Sequence, residues 1–511
     1  MERFPHCLLL TRVGQFYEVR TPCVPMPEPT RLLLTSLQSY FDQAPEIAKL
    51  LNIKHTTKSW GGQRVDMCGF PLAHLERHLK VLVQTLHRRV ALCEEFKRPD
   101  GTFERRVTRI VTPGTLIDEA FLNPYENNYM LAISNPEKEG SPVGLAWMDV
   151  STGEFFSQSC PLSALRDELA RIAPKEIVLY ISLEDQPTHP IRLAISEETT
   201  AFTSYISSPA SSTAAPSRGE PPNTEGLTAA STSNFTSTET SAISLLTSYL
   251  ESNLLEHMPA LSKPLRLGKE SRMQLDSHTI KSLEIRESMR EGGATGSLLS
   301  VINRTVTSSG TRLLSRWLSA PSVLLPEISA RQDVVGFFHA RPHLRADIIV
   351  ILRKIEDTAR IVQKFLSGRG APDDLADLRD AIDIWEELRK RMVLEHDMEY
   401  MEHGALRLDW GNVQALLNKM KPMNALCERI TMAVDRQVID ETTDESPEEE
   451  DLFVASAAPL NRDQLFPTNL YRWSIKPGCV LSALHLRAFT HSIQVFSTAI
   501  DTSRAPWTIR V

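Results

Sequence analysis

The sequence predicts a multidomain chain of α+β and α/β type that runs into an all-α region. Three observations predict it. At 511 residues the chain exceeds what one hydrophobic core serves, which points to about three or four domains. Short strand-like runs separated by single amphipathic helices fill the N-terminal part, and from residue 242 onward apolar residues recur at helical spacing. With 41% apolar and 23% charged residues, the composition is that of a packed globular protein rather than a disordered chain. No apolar run is long enough for a transmembrane helix, so no membrane partner is expected.

Residues 1–115 form the first pattern. Leu8-Leu9-Leu10 reads as a buried strand that ends at a surface turn near Gly14 and resumes through Val19. Strand side chains alternate and rise about 3.3 Å per residue, so Phe16 and Glu18 fall on one face roughly 6.6 Å apart. Such a pair can work on duplex DNA, the ring as a wedge between base steps and the carboxylate as acceptor from a displaced base. A core Phe beside a solvated Glu is the structural alternative. Glu46 to Leu51 is a short helical piece, Ile53 to Thr57 and Arg64 to Cys68 are strands about a Gly61-Gly62 turn, and Pro71 opens a helix. Val90 to Cys93 and Arg106 to Val111 are strands, and Thr112-Pro113-Gly114-Thr115 closes the unit as a turn. This part holds 17 Lys and Arg against 11 Asp and Glu, a net +6 that leaves −14 for the rest of a chain whose total is −8. A local polyanion site in the basic part is the expectation.

The seven cysteines are scattered without a Cys-x-x-Cys pair, which excludes a zinc ribbon and points to a reducing compartment. Cys68, His74 and His78 have zinc-ligand chemistry, but the histidines stand at i and i+4 without a fourth ligand, so no metal is expected. His74-x-Glu76 lacks the Pro-Cys-x-x-Cys a zinc deaminase needs.

Residues 125–198 form a second α/β unit. Tyr129 to Ile133 and Val143 to Val150 pair as strands, Gly153 to Phe156 starts a third, Leu162 to Ile172 is an amphipathic helix, and Ile177 to Ile181 closes the pattern. Asp149 and Glu154 are two carboxylates with the chemistry to hold Mg²⁺ for nuclease work, but only two are placed here with no His partner nearby, so a strand-end turn is the favoured reading. Residues 199–241 are rich in Ser, Thr, Pro and Ala and read as a disordered insertion. Residues 242–430 read as helices, including one over 343–366 and another opened by Pro372-Asp373-Asp374 with the stripe Leu375, Leu378, Ile382, Trp385 and Leu388. They offer no catalytic constellation and suit a scaffold. In 431–477, the eight carboxylates of 440–451 form an acidic loop unsuited to DNA.

Three blocks resemble DNA mismatch recognition proteins of the MutS family. Phe4 to Glu18 is similar to the family's opening with its F-x-E signature, Met67-Cys68-Gly69-Phe70-Pro71 to its M-x-G-x-P block, and Arg109 to Thr115 to the segment closing the mismatch-binding domain. Leu275 to Ile285, Gly296 to Leu299, Thr311 to Leu318 and Arg331-Gln332 resemble the start of its helical core. The first block looks most like the fungal mitochondrial branch. The resemblance implies a mismatch-binding domain (1–115), a ribonuclease-H-like connector (125–198), a partial helical core (242–430) and the start of a clamp (431–477). It further implies Phe16 as the wedge, Glu18 on the mispaired base, and Arg12, Gln15, Lys58 and Arg64 as backbone contacts. Double-stranded DNA with mismatches or small loops is the implied partner, with homo- or heterodimers, ATP and Mg in full-length relatives, and a mitochondrial or alternatively nuclear location. The family's ATPase carries a P-loop, G-x-x-x-x-G-K-[ST]. Here the only Gly-Lys, Gly268-Lys269, is followed by Glu270 and preceded by Lys263 at the first glycine position, so neither ATPase activity nor a cofactor is expected of this chain. We expect a truncated product with an unrelated tail over 478–511 and a start at Met1 internal to a longer reading frame. The rival expectations are a nuclease on Asp149 and Glu154, or a helical scaffold without DNA binding.

Overall fold

A computed structural model describes residues 6–14, 16–20, 43–60, 63–98, 101–117, 119–135, 140–198, 201–207, 235–259, 261–268, 271–290, 292–404, 410–420, 422–438 and 471–475. The chain divides into two compact units, Met1–Ile328 with Gln363–Arg369, and Ser329–Val362 with Gly370–Val511.

The first unit contains two six-stranded mixed sheets. In the first, strands β1 (Leu8–Val13), β2 (Phe16–Arg20), β3 (His55–Trp60), β4 (Gln63–Pro71), β5 (Val90–Lys97) and β6 (Phe103–Val111) run in the order β3-β4-β2-β1-β5-β6. Helices α1 (Gln43–Leu51) and α2 (Leu75–Leu79) contribute Ile47 and Leu79 to a core with Leu10, Tyr17, Phe70, Val90 and Leu92. The segment expected to resume after Gly14 instead reverses: β1 and β2 form an antiparallel hairpin. A glycine within a β-type run reads alike as interruption or reversal, and the positive φ of Gly14, +59°, selects the reversal. The Gly61-Gly62 turn lies outside the described residues.

The second sheet has strands β7 (Met130–Ile133), β8 (Val143–Asp149), β9 (Glu154–Cys160), β10 (Glu176–Tyr180), β11 (Phe202–Ile206) and β12 (Leu265–Arg266) in the order β11-β10-β7-β8-β9-β12. Helices α3 (Leu165–Ile172) and α4 (Pro190–Glu198) cover one face through Leu169, Ile172, Ile191 and Ile195 against Leu131, Leu145 and Ile177. Helix α5 (Ser237–Leu254) covers the other through Leu245, Leu246, Tyr249 and Leu250 against Met130, Ala146 and Val178. Two expectations need correction here. The stretch 199–241 contains β11, parallel to β10, and the first turn of α5, capped by Thr236 and Glu239; residues 208–234 lie outside the described residues. Composition averages over the run, whereas Phe202, Tyr205 and Ile206 suffice for an edge strand. Moreover α5, read as the start of the helical core, packs on this sheet, because helical spacing does not say which neighbour an apolar face meets.

Helices α6 (Ser277–Ser282), α7 (Leu298–Ile302) and α8 (Ser308–Ser319) follow, each opened by a side-chain cap, from Asp276, Ser297 and Thr307 respectively. Helix α9 (Leu325–His339) carries the chain into the second unit. The single helix expected over 343–366 is two, α10 (Pro342–Leu352) and α11 (Thr358–Leu366), with Asp357, a favoured N-cap residue type, immediately before the second. Helix α12 (Pro372–His403) starts at Pro372 as expected and buries Leu375, Leu378 and Ile382. With α13 (Trp410–Leu417) and α14 (Asn424–Ala433), the second unit packs Phe337, Leu344, Ile348, Met392, Trp410 and Val413. Inside it Arg341 grips Glu399 through Nε at 2.5 Å and Nη2 at 2.9 Å, and Trp410 Nε1 donates to Glu399 Oε2 at 2.8 Å. Strands β13 (Val434–Val438) and β14 (Tyr471–Ile475) pair antiparallel. The acidic loop between them and the segment 478–511 lie outside the described residues. Among the described residues no helix is long and apolar enough to cross a membrane.

Candidate nucleic-acid interface

The β1–β2 hairpin sorts its residues by parity. Thr11 pairs with Glu18, Arg12 with Tyr17 and Val13 with Phe16, and directly opposed residues point to the same face. Tyr17 is buried in the core, whereas Phe16 is 50% exposed on the other face. The core-Phe alternative is thereby excluded. Strand β4 pairs with β2 so that Phe16 meets Pro71, Tyr17 meets Phe70 and Glu18 meets Gly69. The second sequence block is therefore the strand neighbour of the first, and the position opposite Glu18 carries no side chain. The Glu18 side chain itself lies outside the described residues, as does Gln15.

The other predicted contacts do not all converge on this face. Arg12 shares the face of Tyr17, where its Nη1 lies 3.3 Å from Glu94 Oε2 and its Nε donates to the Gly14 carbonyl at 3.2 Å. Tyr17 donates to Glu94 Oε1 at 2.5 Å, and burial, then this acceptor, push its hydroxyl above its ordinary range. Position 58 pairs with 65 and position 64 with 59, and the side chains of Lys58 and Arg64 lie outside the described residues. Arg64 is also seven residues along β4 from Pro71, about 23 Å at strand rise.

Sequence reasoning missed a second hairpin at the same end of the sheet. Strand β5 runs parallel to β1, with Thr11 opposite Cys93, and continues past it into β6. There Glu95 pairs with Arg105, joined by Nε at 3.0 Å and Nη2 at 2.9 Å, and Lys97 pairs with the 58% exposed Phe103, all on the parity of Phe16. Lys97, Phe103 and Arg105, basic and aromatic residues about the turn that holds Gly101, were the available signal.

Behind the hairpins, the Thr112 to Thr115 turn is buried rather than solvated. Glu176, fully buried on β10, accepts from Thr112 Oγ1 at 2.5 Å, Gly114 N at 2.8 Å, Ser204 Oγ at 2.5 Å and Tyr249 OH at 2.5 Å. A Cβ on Gly114 would stand 2.9 Å from that carboxylate, so glycine allows the approach. This cradle binds the turn to β10, β11 and α5.

The carboxylates of the nuclease alternative are committed elsewhere. Asp149 is buried and accepts from Asn128 N at 2.9 Å, Ser151 N at 3.0 Å and Ser151 Oγ at 2.6 Å, closing the β8–β9 turn. Glu154 pairs with Arg316 at 3.0 Å and accepts from Tyr129 OH at 3.0 Å. His78 packs its ring 4.3 Å from that of Phe70, and among the described residues no group of three or more His, Cys, Asp or Glu is placed to hold a metal ion.

Three consecutive family models match this architecture: MutS domain I over residues 36–120, MutS domain II over 128–262 and MutS domain III over 278–502. The chain belongs to the MutS family. It is 32% identical over 400 residues to the DNA mismatch repair protein MutS of Cereibacter sphaeroides, covering 76% of this chain and 42% of that one. Similar matches are found to the proteins of that name in Dinoroseobacter shibae, 32% identical over 73% of this chain and 40% of the relative, and Rhodopseudomonas palustris, 30% over 84% and 44%. The chain thus spans less than half the length of these curated relatives. The family match agrees with the second sheet in placing α5 in domain II rather than in the helical core. The domain III match runs to residue 502, into the segment from 478 for which an unrelated tail is expected. Domain I matches from residue 36, so Phe16 and Glu18 stand on the hairpin geometry and the resemblance of their block.

Proposed function

We propose that the chain recognises mismatched duplex DNA, with Phe16 stacking on a mispaired base and Glu18 accepting a hydrogen bond from it. The observation that carries this reading is the half-exposed Phe16 ring at the end of a hairpin whose next residue, Tyr17, is locked in the core. A ring so held can enter a base step, and mismatches unstack at less cost than paired steps. Lys97 and Arg105 on the same face, together with Lys58, are the proposed phosphate contacts, which set register without reading sequence. Arg12, engaged with Glu94 on the face of Tyr17, is set aside, and Arg64 remains a weaker candidate. Duplexes with mismatches or small loops are the proposed ligands, and a second MutS-type subunit the proposed partner. This chain acts by binding and not by hydrolysing ATP; an ATPase assay with and without DNA tests that point. A mitochondrial location follows from the first block's resemblance and is tested by imaging the tagged protein.

The decisive experiment compares binding of the whole chain to a homoduplex and a single-mismatch duplex, with and without Phe16→Ala. Loss of the ring should cost on the order of 1–3 kcal/mol on the mismatch, the scale of base–aromatic stacking. Equal affinity for both duplexes, unchanged by the substitution, would defeat the reading.

A further inference from the structure

We propose that Glu94, acting through Tyr17 and Arg12, is a positioning residue that stiffens the Gly14 hairpin and so fixes the Phe16 ring for insertion. This rests on the wedge reading above. Three contacts make the device. Glu94 comes from β5, far along the chain, and uses one carboxylate oxygen for Tyr17 OH at 2.5 Å and the other for Arg12 Nη1 at 3.3 Å. Arg12 passes the restraint to the Gly14 carbonyl through Nε at 3.2 Å. Phe16 is therefore bracketed along the chain, by the held carbonyl of residue 14 before it and the held side chain of Tyr17 after it.

Such a restraint is useful because a wedge works only if it is stiffer than the stack it opens. Gly14, at φ +59° with no atom of the described residues within 4 Å of where a Cβ would stand, has the backbone freedom to pivot. If it pivoted, insertion would bend the hairpin instead of the duplex, and the distinction between a mismatch and a paired step would shrink. Tyr17 and Phe16 point to opposite faces, so anchoring one fixes the Cα–Cβ direction of the other. The Glu94 cluster lies on the face away from Phe16 and so competes with no base. Arg12 and Glu94 stay partly exposed, with side chains 36% and 25% accessible, so neither is a core element whose loss must unfold the sheet. Arg109, the other cation near Tyr17, is itself held by Glu119 at 2.6 Å.

The test is a double-mutant cycle on the whole chain with Glu94→Gln and, as a milder lesion, Tyr17→Phe, each alone and combined with Phe16→Ala. The readout is the ratio of mismatch to homoduplex affinity, with thermal unfolding measured alongside. We expect each substitution to lower that ratio roughly three- to tenfold when Phe16 is present and to leave it unchanged when residue 16 is Ala, the signature of coupled residues. An unaltered ratio, or an equal fall in both backgrounds, overturns the proposal. If Phe16→Ala alone leaves the ratio untouched, the wedge reading fails by itself. Amide hydrogen exchange of residues 14–17 in the DNA-free chain then decides the positioning claim: faster exchange in Glu94→Gln sustains the stiffening, and unchanged exchange removes it.

Discussion

The two six-stranded sheets of the first unit treat their faces differently. The second is covered on both sides, by α3 and α4 and by α5, and every residue of β8 is buried. The first packs one face on Leu10, Tyr17, Phe70 and Val90, while at its Gly14 end the other face leaves Phe16 and Phe103 exposed. The polar groups follow suit. In the covered sheet Asp149, Glu154 and Glu176 are consumed by internal donors, whereas among the described residues the half-open sheet carries Phe16, Lys97, Phe103 and the Glu95-paired Arg105 on one face. A sheet sealed on both sides can hold a turn or a helix but has no surface for a ligand. The difference leaves the first sheet with the surface that the proposed reading of DNA requires.

Four measurements break or sharpen that contrast. The largest effect should come from the sealed sheet: Leu145→Ala is expected to lower unfolding free energy by about 2–5 kcal/mol in denaturant titration, since a fully buried leucine leaves a cavity. A loss below 1 kcal/mol would mean that α3 and α4 do not seal that face. Next, Glu176→Ala strips acceptors from Thr112, Ser204 and Tyr249 and should cost about 3 kcal/mol, because buried donors left unpaired carry their desolvation penalty. Phe16→Ala, in contrast, should alter stability by only about 0.5 kcal/mol or less, as for an exposed position, while weakening mismatch binding. A larger stability loss would return Phe16 to the core.

The smallest effect concerns His78. Burial, then Arg77 and His74, lower its pKa from the ordinary 6.5, so the folded state prefers the neutral ring. The unfolded chain binds the proton more readily, and stability present above pH 6.5 is lost as the pH falls below it. His78→Phe should flatten that acid limb in unfolding at pH 7.5 and 5.5. An unchanged slope would place the sensitivity elsewhere.

Much of the fold was legible because alternation and helical spacing are local. An exposed Phe16 beside a strand partner turned inward, the strand at Val143 to Asp149 and the start of α12 at Pro372 each follow from neighbours within a few residues. The reversal at Gly14 was not legible, because a glycine serves interruption and hairpin equally. The edge strand β11 was hidden by the Ser/Thr-rich run around it, and α5 carried no mark of its destination. Arg12 and Arg64 illustrate the same limit in the site. The family resemblance made both candidates for DNA; strand pairing puts Arg12 on the face of Tyr17, and the Arg64 side chain lies outside the described residues.

By itself, the sequence determined the periodicities, the basic balance of the first 115 residues and the blocks by which the chain resembles its family. Only the tertiary structure decided which strand lies beside which, and therefore that Glu94 meets Tyr17 and Arg12, that Gly69 faces Glu18, and that Glu176 receives the Thr112 turn. The physical reason is one of range. Side-chain direction is set by the residue's own backbone, but a partner many residues away is set by sheet order, which no local pattern encodes.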